Sequence, residues 1–208
     1  RQSRHRLPSW MLRDQALALS GLLVGDLGGP PVRPYQPEGV WAEATFGTIR
    51  YNPDSGDALH RRSLYVFWRR IVGPTVFFDG ARRQTCEVRP SRTSSPLDAL
   101  TTLNETAYVE AARRFGARAA GQAASTEQRI AWAFRAATAR DPEPDELAIL
   151  VARYEEALTW ARQRPEEARA LLSVGESALG SDAPPAELAA LAVVCGVVLN
   201  LDEVLTRP

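Results

Sequence analysis

The residues able to do chemistry crowd into one stretch, Leu59 to Asn104. It carries the double arginine Arg61-Arg62, an aromatic run, the Phe78-Asp79 turn, Arg83, Cys86, Arg89 and a sharply punctuated helix start. Taken by type, these residues admit few reactions. An aspartate among arginines suits a carboxylate nucleophile or base, not a proton donor. A glycoside hydrolase needs a pair of carboxylates, and the candidates are Asp79 and Asp14, the latter following Arg13. The simpler reading makes Asp79 and Asp14 ion-pair partners of Arg13, Arg61, Arg62, Arg83 or Arg89. Breaking one buried pair costs about 3–5 kcal/mol, and no acid partner for catalysis is evident.

Other chemistries find less support. The two histidines, His5 and His60, and the two cysteines, Cys86 and Cys195, are not at metal-ligand spacing. No C-x-x-C-H haem attachment motif and no G-x-S-x-G elbow occurs. Cys86 would form a nucleophilic pair with His60 only if the fold brought them together. Gly28-Gly29 is followed by prolines, which lack the row of amide donors a phosphate loop needs. A Cys86–Cys195 disulfide and two free thiols both stay open.

The elements that must position these residues follow from periodicity. Residues 8–27 read as a first helix, with Leu12, Ala16, Leu19, Leu23 and Leu27 on one stripe and Gly28-Gly29 as the stop. Pro30, Pro31, Pro34 and Pro37 then force an extended strap, anchored by Tyr35 and Trp41. Residues 44–52, 63–71 and 84–89 are strand candidates for a small antiparallel sheet. Ser95-Pro96-Leu97-Asp98 supplies an N-cap, a first-turn proline and an acid. From there Leu97, Leu100, Leu103, Ala107, Ala111 and Phe115 give one long inward face to about Gly121. Helices follow over 126–139 and from Pro144 to Arg164, then a short helix. A final helix from Pro185 to about Arg207 is apolar nearly all round, and is expected to be the most buried.

This pattern predicts a mainly α fold with a small antiparallel β-sheet (α+β) and a helical, bundle-like C-terminal half. It reads as a single domain over 1–208: a helix, proline-rich strap and small sheet in 1–92, and a helical part in 93–208. Hydrophobic residues at 45% and charged residues at 24% are ordinary for a globular chain. The 25 basic and 25 acidic residues balance, which argues against a nucleic-acid or anionic-membrane footprint. Every basic residue is arginine, a pattern that codon bias in a GC-rich genome explains. No apolar run reaches the roughly 18 residues a transmembrane helix needs. The chain starts at Arg1 without a visible signal peptide, so a fragment of something longer is expected.

Several motifs together resemble a known family. They are Arg13-Asp14 followed by SGLL, GGPPVRPYQP with Trp41 after it, RRSLY at 61–65, and Phe78-Asp79 with Arg83, Cys86 and Arg89. TSSPLDAL at 93–100, R-x-P-x-x-x-E-L from Arg140 to Leu147 and LNLDEVLTR at 199–207 complete the set. The set is similar to the C-terminal domain of unknown function of planctomycete-type cytochrome c proteins. Where that family reads T-N-T-P-L-Q-A-L, this chain has Ser94, Ser95 and Asp98 in place of Asn, Thr and Gln. The resemblance implies a periplasmic or extracellular protein with haem c elsewhere in the full-length chain or complex and no cofactor in these residues. The partners it implies are other domains or subunits of the same exported assembly. The leading expectation is therefore a non-catalytic structural or interaction module. An extracytoplasmic hydrolase using Asp79 with nearby arginines, with polysaccharide as its candidate substrate, is the alternative.

Overall fold

A computed structural model describes residues 5–69, 72–80 and 95–207. Among the described residues the helices are α1 (Ser9–Ser20), α2 (Val40–Ala44), α3 (Pro96–Asn104), α4 (Thr106–Ala120), α5 (Thr126–Thr138), α6 (Pro144–Gln163), α7 (Pro165–Leu172), α8 (Pro185–Leu199) and α9 (Asp202–Leu205). Two short 3-10 turns cover Gly56–His60 and Ser63–Tyr65. Strands β1 (His5–Arg6) and β2 (Thr206–Arg207) pair antiparallel, His5 opposite Arg207 and Arg6 opposite Thr206. The fold is mainly α with a small antiparallel sheet, as the pattern predicts. That sheet pairs residues 5–6 with 206–207, and the described residues between 44 and 80 form no strand.

The reason lies in the strap. Val32 donates to the Tyr65 carbonyl at 2.8 Å and accepts from the Phe67 amide at 2.7 Å, a single parallel bridge. Pro31 and Pro34 flank it without amide protons, so no ladder propagates. Residues 44–52 instead finish α2 and continue irregularly, and 63–65 wind into a 3-10 turn. Residues 70, 71 and 84–89 of the expected strands lie outside the described residues.

Helix α1 is shorter than its apolar stripe suggests. It stops at Gly21, which adopts φ 76° and returns its amide to the helix end, a conformation glycine takes without steric cost. Leu27, expected on the inward stripe, is 80% exposed.

The expected long helix from Ser95 to Gly121 breaks at Glu105. Ser95 and Asp98 form the reciprocal capping box that starts α3. Glu105 is extended, and its carboxylate accepts from the Ala107 amide at 2.8 Å, so it caps α4. The break turns the first half of the apolar face outward: Leu97, Leu100 and Leu103 are exposed, whereas Ala107, Ala111 and Phe115 are buried.

The core sits where α8 meets α4, flanked by α5, α6 and α7. Helix α8 is buried along most of its length, because Leu188, Leu191, Val194 and Val198 recur amid small alanines. Gly116 lets the two backbones touch. A Cβ there would lie 2.9 Å from the Ala192 nitrogen. The expected final helix ends at Asn200, whose side chain donates to the Gly196 carbonyl and accepts from Thr102 on α3. Beyond it Arg140 binds Glu146 of α6 and Glu203 of α9, and its guanidinium lies over the Phe134 ring. The R-x-P-x-x-x-E-L and LNLDEVLTR motifs thus meet in space.

Candidate functional site: a groove beside the first helix

Two adjacent residues of α1 clamp the segment after the strap. The buried Arg13 guanidinium donates to the carbonyls of Leu59 and Arg61 at 2.7 and 2.8 Å and to the Ser63 hydroxyl at 3.2 Å. Asp14 accepts the Ser63 amide at 2.7 Å and lies 3.6 Å from Arg13. Burial pulls the Arg13 guanidinium below its ordinary pKa, and Asp14 opposes that shift. Arg61 binds no acid among the described residues. It stitches the strap through the carbonyls of Asp26, Gly28 and Pro30 and lies 4.1 Å over the Tyr65 ring. Arg62 is exposed.

Asp79 faces elsewhere. Both its oxygens accept the Ser9 amide at 3.1 Å, the Ser9 hydroxyl donates to it as well, and Arg6 pairs with it at 3.2 Å. Its side chain is 7% exposed. The first turn of α1, whose own Pro8 offers no capping side chain, takes its cap from this distant turn. Among the described residues the ion-pair partner of Asp79 is thus Arg6. Arg83, Cys86 and Arg89 lie outside the described residues.

Between α1 and these anchored segments lies an open groove of about 400 Å³. Val66 and Trp68, alternate positions of the extended run after the 3-10 turn, line the groove with Leu64 of that turn, while Phe67 points away to Trp41 and Arg33. Trp68 forms the floor, stacked on Phe77 at 5.6 Å. Gly80 lies so close under the indole that a Cβ would overlap it. Trp10 and Leu64 stand at the rim, 50% and 78% exposed. The residues singled out by type thus serve the groove differently. Asp14 and Arg62 line it, Arg13 and Asp79 hold its walls, and Arg61 and Tyr35 belong to the strap behind it.

One polar cluster was not legible beforehand. His60 meets the buried Glu110 at 3.1 Å, Arg113 lies 3.5 Å from the same carboxylate, and the Ser177 amide donates to it at 2.7 Å. Burial opposes ionisation of Glu110, but hydrogen bonds from His60 and Ser177 outweigh it and hold the carboxyl at about 2. Tyr35 joins by accepting the Glu176 amide at 2.9 Å, and its hydroxyl is pushed above its ordinary pKa by burial and by Glu110. The available signal was a Glu and an Arg three apart on the buried face of an amphipathic helix. His60 is engaged here, so it is not held ready as a base for a cysteine. Cys195 is a free, buried thiol whose pKa burial pushes up.

Among the described residues no group of three or more His, Cys, Asp or Glu side chains could hold a metal ion. None of the described helices is long and apolar enough to cross a membrane. The acids near the groove, Asp14 and Asp79, accept backbone amides and face guanidinium groups. No curated protein and no solved structure matches the chain. Residues 1–154 match the PSD1 family, described as a protein of unknown function (DUF1553), so the match ends within α6, short of the deeply buried α8. The chain belongs to the PSD1 (DUF1553) family of proteins of unknown function.

Proposed function

We propose that this chain is a non-catalytic structural or interaction module of an exported, cytochrome c-associated multidomain protein, working in the periplasm or outside the cell. Haem c would be carried elsewhere in the full-length protein or complex, and the partners would be other domains or subunits of that assembly. The observation that carries the non-catalytic part is the state of Asp79. Its carboxylate is buried, paired with Arg6 and committed to the start of α1. A hydrolytic nucleophile or base must reach its substrate, and this one faces its own fold. The cytochrome association and the compartment are supported by the motif resemblance alone.

The test is isolation of the native full-length protein, with its absorbance spectrum and its co-purifying subunits. A haem c absorbance together with stoichiometric partners is the expected result. A haem-free, partner-free protein that hydrolyses glycans, and loses that activity in Asp79→Asn while staying folded, would overturn the proposal.

A further inference from the structure

We infer that the groove beside α1 is a docking site for an extended peptide segment of a partner domain, one presenting a bulky apolar side chain next to an acidic residue. The assignment rests on the interaction-module reading and gives that module its contact point.

The apolar half of the preference comes from the walls. Trp68 is seated before any ligand arrives, held between Phe77 and the bare Gly80 backbone, so the floor is preorganised. The exposed Trp10 and Leu64, both lining the concavity, leave large apolar surfaces in water that a bulky side chain would cover. Peptide form follows from Val66 and Trp68, which face the groove from alternate positions of an extended run, since an extended partner also directs every second side chain to one face. The groove is open along its length and does not enclose a compact small molecule.

The acidic half comes from charge. Of the two charged residues lining the groove, Asp14 is satisfied by the Ser63 amide and by Arg13. The Arg62 side chain is exposed at the edge and makes no hydrogen bond, ion pair or ring contact among the described residues. The unmatched charge of the groove is positive, and a guanidinium takes a carboxylate through two parallel hydrogen bonds. A basic neighbour on the peptide would meet repulsion instead.

The experiment is an NMR titration of the ¹⁵N-labelled 208-residue chain with three acetylated, amidated hexapeptides, AALEAA, AALQAA and AALKAA. The Trp10 indole and Leu64 amide signals should shift, with the acidic peptide binding at least about fivefold tighter than the neutral one and the basic one weakest. Arg62→Glu, a change at an exposed side chain, should reverse the order of the acidic and basic peptides. Leu64→Ala should weaken all three alike. Shifts absent at millimolar peptide, equal affinity for the acidic and basic peptides, or octanoate binding as tightly as AALEAA would each overturn the assignment. In the full-length protein Arg62→Glu should release the co-purifying partner. If partners co-purify undiminished in that variant, the groove assignment fails while the interaction-module reading stands. If the titration succeeds but native protein carries no partner, the converse holds.

Discussion

Asp79 caps the first turn of α1 from seventy residues away, accepting the Ser9 amide through both oxygens at 3.1 Å. A turn that reads locally as an isolated acid among arginines is thus part of the first helix. Replacing Asp79 by Ala removes a cap and one partner of a buried ion pair together, and should lower stability by about 3 kcal/mol in chemical denaturation. Asp79→Asn keeps an acceptor for Ser9 and should lose less. An Asp79→Ala protein as stable as the parent would sink this account.

Glu105 gives the pH dependence a second direction. Burial raises its carboxyl from 4.5 to about 7, against the Ala107 amide and Arg13, which favour the charged form. A folded pKa above the unfolded one contributes stability that is complete below about 4.5 and lost as pH rises through 7. Glu105→Gln keeps a capping oxygen and cannot titrate. Its stability measured from pH 5 to pH 8 should therefore lack a decline of about 1–3 kcal/mol that the parent shows.

Glu110 acts with the opposite sign. Its carboxyl is held near 2, so it contributes stability present above 4.5 and lost as pH falls through 2. Glu110→Gln should be less stable than the parent at pH 7, by about 2–3 kcal/mol, and the difference should shrink in acid. Urea midpoints for the two proteins at pH 7 and pH 2.5 measure both effects. A constant difference across that range would contradict the assignment.

At the crossing of α4 and α8 the constraint is steric. A methyl group on Gly116 would press on the Ala192 nitrogen and the Leu191 carbonyl carbon, each 2.9 Å away, and both are backbone atoms that cannot rotate aside. Gly116→Ala should therefore destabilise by about 1–3 kcal/mol, even though alanine is the better helix former. Thermal unfolding of the single variant decides it.

Local chemistry was readable and distant partnership was not. The capping box at Ser95, the Pro144 start of α6 and the all-round apolar α8 follow from short-range rules, and the structure has them. The failures share one cause. The strand candidates near residues 44–71 carried the right residue types, but their neighbour was a proline-flanked Val32 able to form only one bridge. The stripe from Leu97 to Phe115 kept its helical period, yet Glu105 leaves the helix to cap the next one, and periodicity does not register a change of axis. At the groove the important residue types were legible and their partners were not. Arg6, distant in sequence from Asp79, is its ion-pair partner among the described residues.

The pairing of His5 and Arg6 with Arg207 and Thr206 brings residues 5 and 207 face to face. This sets how tension applied at residues 5 and 207 would enter the fold. A pull applied there peels a two-residue ladder before it reaches the helical core, and Arg6, by its hold on Asp79, passes the strain to the start of α1 and the adjoining groove. The groove lies next to that point, so a pull on residues 5 and 207 would disturb its walls before it unfolds the core.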